Sequence, residues 1–239
     1  MADLKATWAK LKKRPDPLTS IALTIPVFLV YQLCILIVDR RSRSDFVSDP
    51  VLSMLDPKYY PVYVIGALTL ALGLATVTWI EERRGAVSGV PLGKVVLEGL
   101  AFALIALVVL GLAPRRFVRP TEPAMHADGV FEAIVLSAGA GLYQELIFRA
   151  VLVTLFSAVL ALVFRVSKRV ALGIAITLSS VAFAITHHYG PHGEPFGFDV
   201  ATYHVLLAGL FAGLYLTRGF AVAVYAHVFF EIGVHFMRA

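Results

Sequence analysis

The sequence predicts an all-α fold, a polytopic membrane bundle of about seven transmembrane helices, on the strength of two observations. Of its 239 residues, 59% are hydrophobic and only 15% are charged, and the mean hydropathy is +0.80. Apolar runs of about 20 residues also recur along the chain, which is the length that an α-helix needs to cross a bilayer. A soluble domain does not need so much apolar sequence, so the composition favours a multi-pass membrane protein.

Seven apolar runs account for the predicted spans, and charged or turn-forming segments separate most of them. The runs lie at about 18–38, 60–80, 95–113, 130–164, 170–188, 201–217 and 219–237. The fourth run is longer than one crossing requires. It therefore predicts either one long tilted helix or two segments that break near a charged cluster, which would bring the number of spans to eight.

The charge of the chain is consistent with a lipid environment. The net charge is +5, and the chain has a single cysteine, Cys34. In a membrane protein, excess Lys and Arg reflect loops that face anionic lipid, so we predict a lipid bilayer around the protein and no nucleic-acid partner. With seven spans, the N-terminal tail and the loops at 81–94, 165–169 and 218 lie on one side and hold most of the Lys and Arg residues. This distribution favours a cytoplasmic N-terminus in a cell membrane, which we expect to be a bacterial inner membrane. One cysteine provides neither a disulfide framework nor a cysteine metal site.

A polar cluster interrupts the fourth apolar run. Gln144, Glu145 and Arg149 stand within GAGLYQELIFRAVLVTLF. An ionisable side chain at bilayer depth costs about 2.5 to 3.5 kcal/mol on insertion scales, so it marks a functional site by default. Glu145 and Arg149 are four residues apart on one helix face and can pair. Glu145 could act as a general base, or the pair could be a structural ion pair between helices.

Two later runs add further candidates. His187 stands in FAITHHYG, four residues after Phe183, which should pack against its imidazole ring. Glu145 lies about 19 residues before the end of its run and His187 about 17 residues after the start of the next, so at about 1.5 Å per residue their depths match. His227 and Glu231 form a four-residue pair in AHVFFE. That spacing could bind a metal, or it could hold a water or an oxyanion.

The remaining histidines are weaker candidates for the site, and the motifs of other intramembrane proteases do not occur. We expect His188, His204 and His235 to be interfacial, because each lies near the end of an apolar run. The zinc-helix motif His-Glu-x-x-His, the serine motif Gly-x-Ser-Gly and the aspartyl motif Gly-x-Gly-Asp are missing from the sequence. We therefore predict no cofactor and no metal site, although His227 and Glu231 keep a metal conceivable.

Taken in order, these motifs resemble those of the CPBP family, which contains CAAX proteases and bacteriocin-processing (Abi) enzymes. The family pattern Glu-Glu-x-x-x-Arg, Phe-x-x-x-His, a glycine-containing helix and His-x-x-x-Asn is matched in order and spacing. The matching stretches begin at Gln144, Phe183, the AGLFAGLYLTRG segment and His227. The resemblance implies a catalytic core at 130–239 and a variable N-terminal region with three transmembrane helices at 1–129.

The resemblance also implies an activity. The family consists of intramembrane glutamic endopeptidases that cleave the C-terminal or membrane-proximal segment of a membrane-associated protein or peptide. Carried over to this chain, Glu145 and His187 would activate the attacking water, and His227 would stabilise the oxyanion. Arg149 would hold the acidic pair.

Two departures from the family leave the activity open. Gln144 stands where the family has its first Glu, and an amide cannot accept a proton at neutral pH. Glu145 or Glu231 could then be the base, the chain could be an inactive relative that binds a peptide or partner, or Gln144 could be an inactivating isosteric replacement. Glu231 stands where Asn is commoner, and it could restore the missing acid. A proton-coupled transporter that uses the Glu and His residues as a relay is a further alternative.

Overall fold

The computed structural model describes residues 15–38, 48–85, 89–112, 129–188 and 195–238, and no strand occurs within these ranges. The basic residues before residue 15, on which the predicted orientation partly depends, lie outside them. The α-helices are α1 (Pro17–Leu23), α2 (Ile25–Cys34), α3 (Ser48–Met54), α4 (Tyr60–Arg83), α5 (Leu92–Gly111), α6 (Val130–Leu162), α7 (Lys168–His188), α8 (Phe198–Arg218) and α9 (Phe220–Arg238). A 3₁₀ turn, Pro57–Tyr59, leads directly into α4.

The predicted helical membrane bundle is confirmed. Within the described ranges, six helical stretches are long and apolar enough to cross a membrane, and α9 adds a shorter apolar helix at Phe220–Phe236. The fourth apolar run forms one continuous helix, Val130–Leu162, so it makes one long span. Large apolar side chains such as Leu97, Leu104 and Val108 remain exposed on α5, as expected for a surface that faces lipid.

A local break divides the first span at Thr24. The backbone N–H of Thr24 bonds to the carbonyl of Ile21 at 3.0 Å, and α2 begins with Ile25 and Pro26. Proline has no N–H to give to the preceding turn, so the helix is interrupted there and restarts. α1 and α2 together still form an 18-residue stretch, Pro17–Cys34.

α9 is the central helix of the bundle, and it packs against α5, α6 and α8. Its consecutive residues Ala221 to Val224 are completely buried, which is typical of a helix surrounded by protein on all sides. Glycines on the neighbouring helices allow this close approach. A Cβ at Gly99 of α5 would lie 2.6 Å from the Cβ of Tyr225, and one at Gly141 of α6 would lie 2.8 Å from the backbone nitrogen of Val228.

α6 changes its hydrogen-bonding pattern at the polar cluster. Its first part, Val130–Gln144, is α-helical, and Glu145–Val153 is a π-helix. π-helical turns are rare and occur frequently at functional sites. The carbonyl of Phe148, inside this turn, accepts a hydrogen bond from the hydroxyl of Ser179 on α7. The π-helical turn is therefore tied to the next helix of the bundle.

A buried polar network connects the N-terminal helices to α6. The amide nitrogen of Gln32 on α2 donates to the hydroxyl of Tyr143, and the hydroxyl of Tyr63 on α4 donates to the amide oxygen of Gln32. All three side chains border an apolar cavity of about 520 Å³. Tyr143 precedes Glu145 by two residues, so this network ends next to the π-helical turn.

Candidate active site

Glu145 stands at the centre of the buried polar residues. Its carboxylate oxygen Oε1 lies 2.7 Å from Nδ1 of His227 on α9. Its other oxygen, Oε2, lies 3.3 Å from Nε of Arg149, one turn further along α6. All three side chains are shielded from solvent almost completely. The predicted pairing of Glu145 with Arg149 is therefore present, and His227 joins it from a second helix.

Arg149 contacts groups on α7 and α8 in addition to Glu145 on its own helix. Its Nη2 donates to the carbonyl oxygen of Ala208 on α8 at 3.2 Å. Its guanidinium carbon lies 4.8 Å from the ring centroid of Phe183 on α7 and 6.0 Å from that of Phe211 on α8. A cation over an aromatic face is stabilised by the ring quadrupole. Arg149 therefore links α6 to α7 and α8 in addition to neutralising Glu145.

His227 has a defined orientation. A carboxylate can only accept hydrogen bonds, so Nδ1 of His227 carries the hydrogen that it shares with Glu145. The imidazole stacks on the ring of Phe211, with centroids 4.4 Å apart and an interplanar angle of 8°. Its other nitrogen, Nε2, lies 3.6 Å from Oε1 of Glu231. That separation is slightly longer than a direct hydrogen bond.

His187 adjoins this group through Phe183. The two rings have centroids 4.5 Å apart, which confirms the predicted packing, and the ring of Phe183 lies 6.2 Å from that of His227. Nδ1 of His187 lies 2.8 Å from the carbonyl oxygen of Phe183. A carbonyl can only accept, so Nδ1 carries the hydrogen and, in the neutral ring, Nε2 is the basic nitrogen. His187 also lies within electrostatic range of Glu231.

His204, which the sequence predicts to be interfacial, is buried inside the bundle and contacts His187. This side chain is only 5% exposed, and its ring stacks on that of His187 with centroids 4.0 Å apart and an interplanar angle of 24°. α8 begins at Phe198, a few residues earlier than the apolar run suggested, so His204 lies about 9 Å along the helix. His188 and His235 are half-buried near helix ends, and their interfacial position stays a prediction.

The antiparallel arrangement of α7 and α8 is the signal that could have identified His204. Consecutive spans cross the membrane in opposite directions, so the end of α7 and the start of α8 lie at the same level. His187 is one residue from the end of α7, and His204 is in the second turn of α8. A histidine in each of these positions can therefore meet its counterpart.

The structure brings five of the six predicted site residues close together, four in one polar cluster and the fifth beside it. Glu145, Arg149, His227 and Glu231 form a polar cluster across α6 and α9, and His187 lies beside it. The sixth, Gln144, is buried on α6 immediately before the π-helical turn. Among the described residues, no three His, Cys, Asp or Glu side chains gather in a way that could hold a metal ion.

Electrostatics limits the protonation states of the polar cluster. Two carboxylates, Glu145 and Glu231, face one guanidinium, Arg149. A buried group of charges is least costly when its net charge is zero. One proton shared between His227 and Glu231 brings the cluster to neutrality. The arrangement can therefore hold and transfer a single proton beside Glu231, whose side chain is 29% accessible and is the most exposed of the four.

Comparison with known proteins gives one match. Residues 126–233 match the family described as Type II CAAX prenyl endopeptidase Rce1-like. This range includes the whole polar cluster together with His187 and His204. Neither the curated proteins nor the solved structures provide a match.

We expect Arg149→Met to lower the thermal stability of the purified protein strongly, because it leaves the buried Glu145 carboxylate without its cation. Removal of one partner from a buried ion pair costs about 3 to 5 kcal/mol. The double variant Glu145→Gln/Arg149→Met should recover much of this loss, because neither residual group is charged. Melting temperatures in detergent for wild type, both single variants and the double variant measure the coupling. Additive losses would contradict a direct pairing.

Proposed function

We propose that this chain is an intramembrane endopeptidase, and the match of residues 126–233 to the Rce1-like CAAX endopeptidase family supports this proposal. We propose that it hydrolyses a peptide bond in the C-terminal or membrane-proximal segment of a membrane-associated protein. The catalytic core would be residues 130–239, with residues 1–129 as a family-variable region. A multi-pass protein with its polar residues buried in the bundle can act only on substrates that reach it within the bilayer.

The observation that carries this proposal is the gap between Nε2 of His227 and Oε1 of Glu231. The two atoms lie 3.6 Å apart, so a water beside the pair, about 2.8 Å from each atom, can bond to both. Glu145 fixes the imidazole from its opposite side at 2.7 Å. A water held between a carboxylate and an oriented imidazole is the arrangement that general base catalysis of hydrolysis requires.

The reaction can be written with this water. Its oxygen attacks the carbonyl carbon of the scissile bond while its proton passes to the Glu231 carboxylate. His227, protonated on both nitrogens, donates from Nε2 to the oxyanion that forms on the carbonyl oxygen. When the carbon–nitrogen bond breaks, the proton from Glu231 passes through Nε2 of His187 to the leaving amine. The products are a carboxylic acid and an amine, and the site returns to its starting charge.

Glu145 then has the role of an anchor. Both of its oxygens interact with fixed side chains, Oε1 with His227 and Oε2 with Arg149, and the residue is fully buried. A general base must reach its proton directly or through one water. The rival assignment, carried by the family resemblance, makes Glu145 and His187 the pair that activates water.

The activity is tested by co-expression of a candidate substrate, a membrane-anchored protein with a cleavable C-terminal tail, with wild type or variants. We expect cleavage by wild type and none by Glu145→Ala or His187→Ala. Removal of a base or of a group that orients the oxyanion donor costs on the order of 10²-fold or more. Phe198→Ala, which changes an exposed residue of α8, serves as the matched control. Full cleavage by either site variant would remove that residue from the mechanism.

The two assignments of the base differ in their response to Glu231→Asn. If Glu231 accepts the water's proton, this variant should lose at least about 10²-fold in kcat, because an amide cannot act as a base. If Glu231 only occupies the position of the commoner family Asn, activity should persist or rise. Glu145→Gln provides the complement, since its amide oxygen can still accept from His227. A partial loss of activity in Glu145→Gln, together with a complete loss in Glu231→Asn, would support Glu231 as the general base.

Gln144→Glu tests whether the natural chain is catalytically competent. We expect cleavage to stay flat or fall, because the change adds a third carboxylate next to a cluster with one guanidinium, and like charges oppose ionisation. The measurement is the same cleavage assay, with Gln144→Asn as a control for shape. A clear gain in cleavage would instead show that Gln144 replaces a catalytic Glu. The chain would then be an inactive, partner-binding relative.

A further inference from the structure

We propose that α8 positions both imidazoles of the site, and that His204 is the positioning residue for His187. This inference rests on the proposed function, since it concerns the geometry of the same reaction. α8 supplies none of the reacting groups in the mechanism above. Its buried side nevertheless contacts Arg149, His187 and His227.

The three contacts come from one face of α8. His204, Ala208 and Phe211 follow each other at intervals of four and three residues, so their side chains lie on one side of the helix. The ring of His204 stacks on His187, the carbonyl of Ala208 accepts from Arg149, and the ring of Phe211 stacks on His227. One rigid helix therefore sets the distance between the two imidazoles.

Ring stacking contributes to the orientation of both imidazoles. Nδ1 of His227 donates a charge-assisted hydrogen bond to the buried carboxylate of Glu145 at 2.7 Å. His187 has a bond from Nδ1 to the carbonyl of Phe183, on its own helix. This bond restrains the ring at one atom, and the planes of neighbouring rings restrain the rest. The ring of His204 lies closer to His187 than that of Phe183 does, at 4.0 Å against 4.5 Å, and more nearly parallel, at 24° against 39°.

A stacked ring in this place fixes the plane of the His187 imidazole, and with it the direction of Nε2. Loss of the flat surface would let the imidazole rotate, and Nε2 would leave the direction in which it meets the leaving amine. A misplacement of about 1 Å at a catalytic group can cost about 10²-fold in rate. The stacking needs a planar ring and not a titratable one. Phenylalanine in place of His204 should therefore keep the positioning role. Leucine fills similar space without a planar face and should lose it.

The experiment compares His204→Phe, His204→Leu and His204→Ala in the full-length protein in detergent. Leu206→Ala on the exposed side of α8 is the control. We expect His204→Leu and His204→Ala to lower kcat by about 10- to 100-fold, with KM within about two-fold of wild type. His204→Phe should retain most of the activity. Melting temperatures identify any variant that is not folded, and the leucine variant serves if the alanine variant fails to fold.

A second readout is independent of activity. Protein labelled with ¹⁵N-histidine reports by NMR which ring nitrogen of His187 carries the hydrogen, and His187→Gln identifies the signal. Wild type and His204→Phe should show the Nδ1–H form, and His204→Leu should show a mixture of both forms. If no substrate is cleaved, the proposed function fails and this measurement alone decides the inference.

Two outcomes would overturn the proposal. The first is a His204→Leu variant that keeps the wild-type His187 signal or the wild-type turnover, since the ring of His204 would then be dispensable. The other is a His204→Phe variant as inactive as His204→Ala in a protein that cleaves its substrate, since His204 would then contribute proton chemistry.

Discussion

The structure of the site depends on a buried carboxylate shared between a guanidinium and an imidazole. An isolated buried charge costs several kcal/mol even after relaxation, and Arg149 and His227 offset this cost for the Glu145 carboxylate. Both partners are held in turn by other helices. Arg149 reaches the backbone of α8, and His227 sits on the buried first half of α9. The ion pair is thus both the electrostatic centre and the point at which the helices converge.

Two backbone features make this convergence possible. Glycines on α5 and α6 let α9 approach so closely that a methyl group at Gly141 would overlap Val228, and His227 is the residue before Val228. The π-helical turn then begins at Glu145 itself. Close packing brings the two helix axes together, and the altered turn sets the direction of the carboxylate. Removal of either would lengthen the 2.7 Å contact on which the orientation of His227 depends.

Helix periodicity explains which parts of the site could be predicted from the sequence. Glu145 with Arg149, Phe183 with His187, and His227 with Glu231 are all four-residue pairs within one helix, and each pair is in contact. Contacts between helices depend on the rotation and tilt of each helix, which the hydrophobic pattern leaves undetermined. The bond between Glu145 and His227 and the stacking of His204 on His187 belong to this second kind. The π-helical turn likewise has no sequence signal that distinguishes it from a regular apolar helix.

The hydrogen bond between Gln32 and Tyr143 has a consequence for chimaeric proteins. The N-terminal helices are expected to vary within the family, yet here one of them bonds to a hydroxyl only two residues before Glu145. A graft that replaces these helices with those of a relative would therefore change the environment of the first residues of the site. The relative that supplies the helices must carry a polar side chain at the depth of Gln32, or the protein that receives them must lose the hydroxyl of Tyr143. An exchange of helices between relatives therefore has to keep the positions of Gln32 and Tyr143 chemically matched.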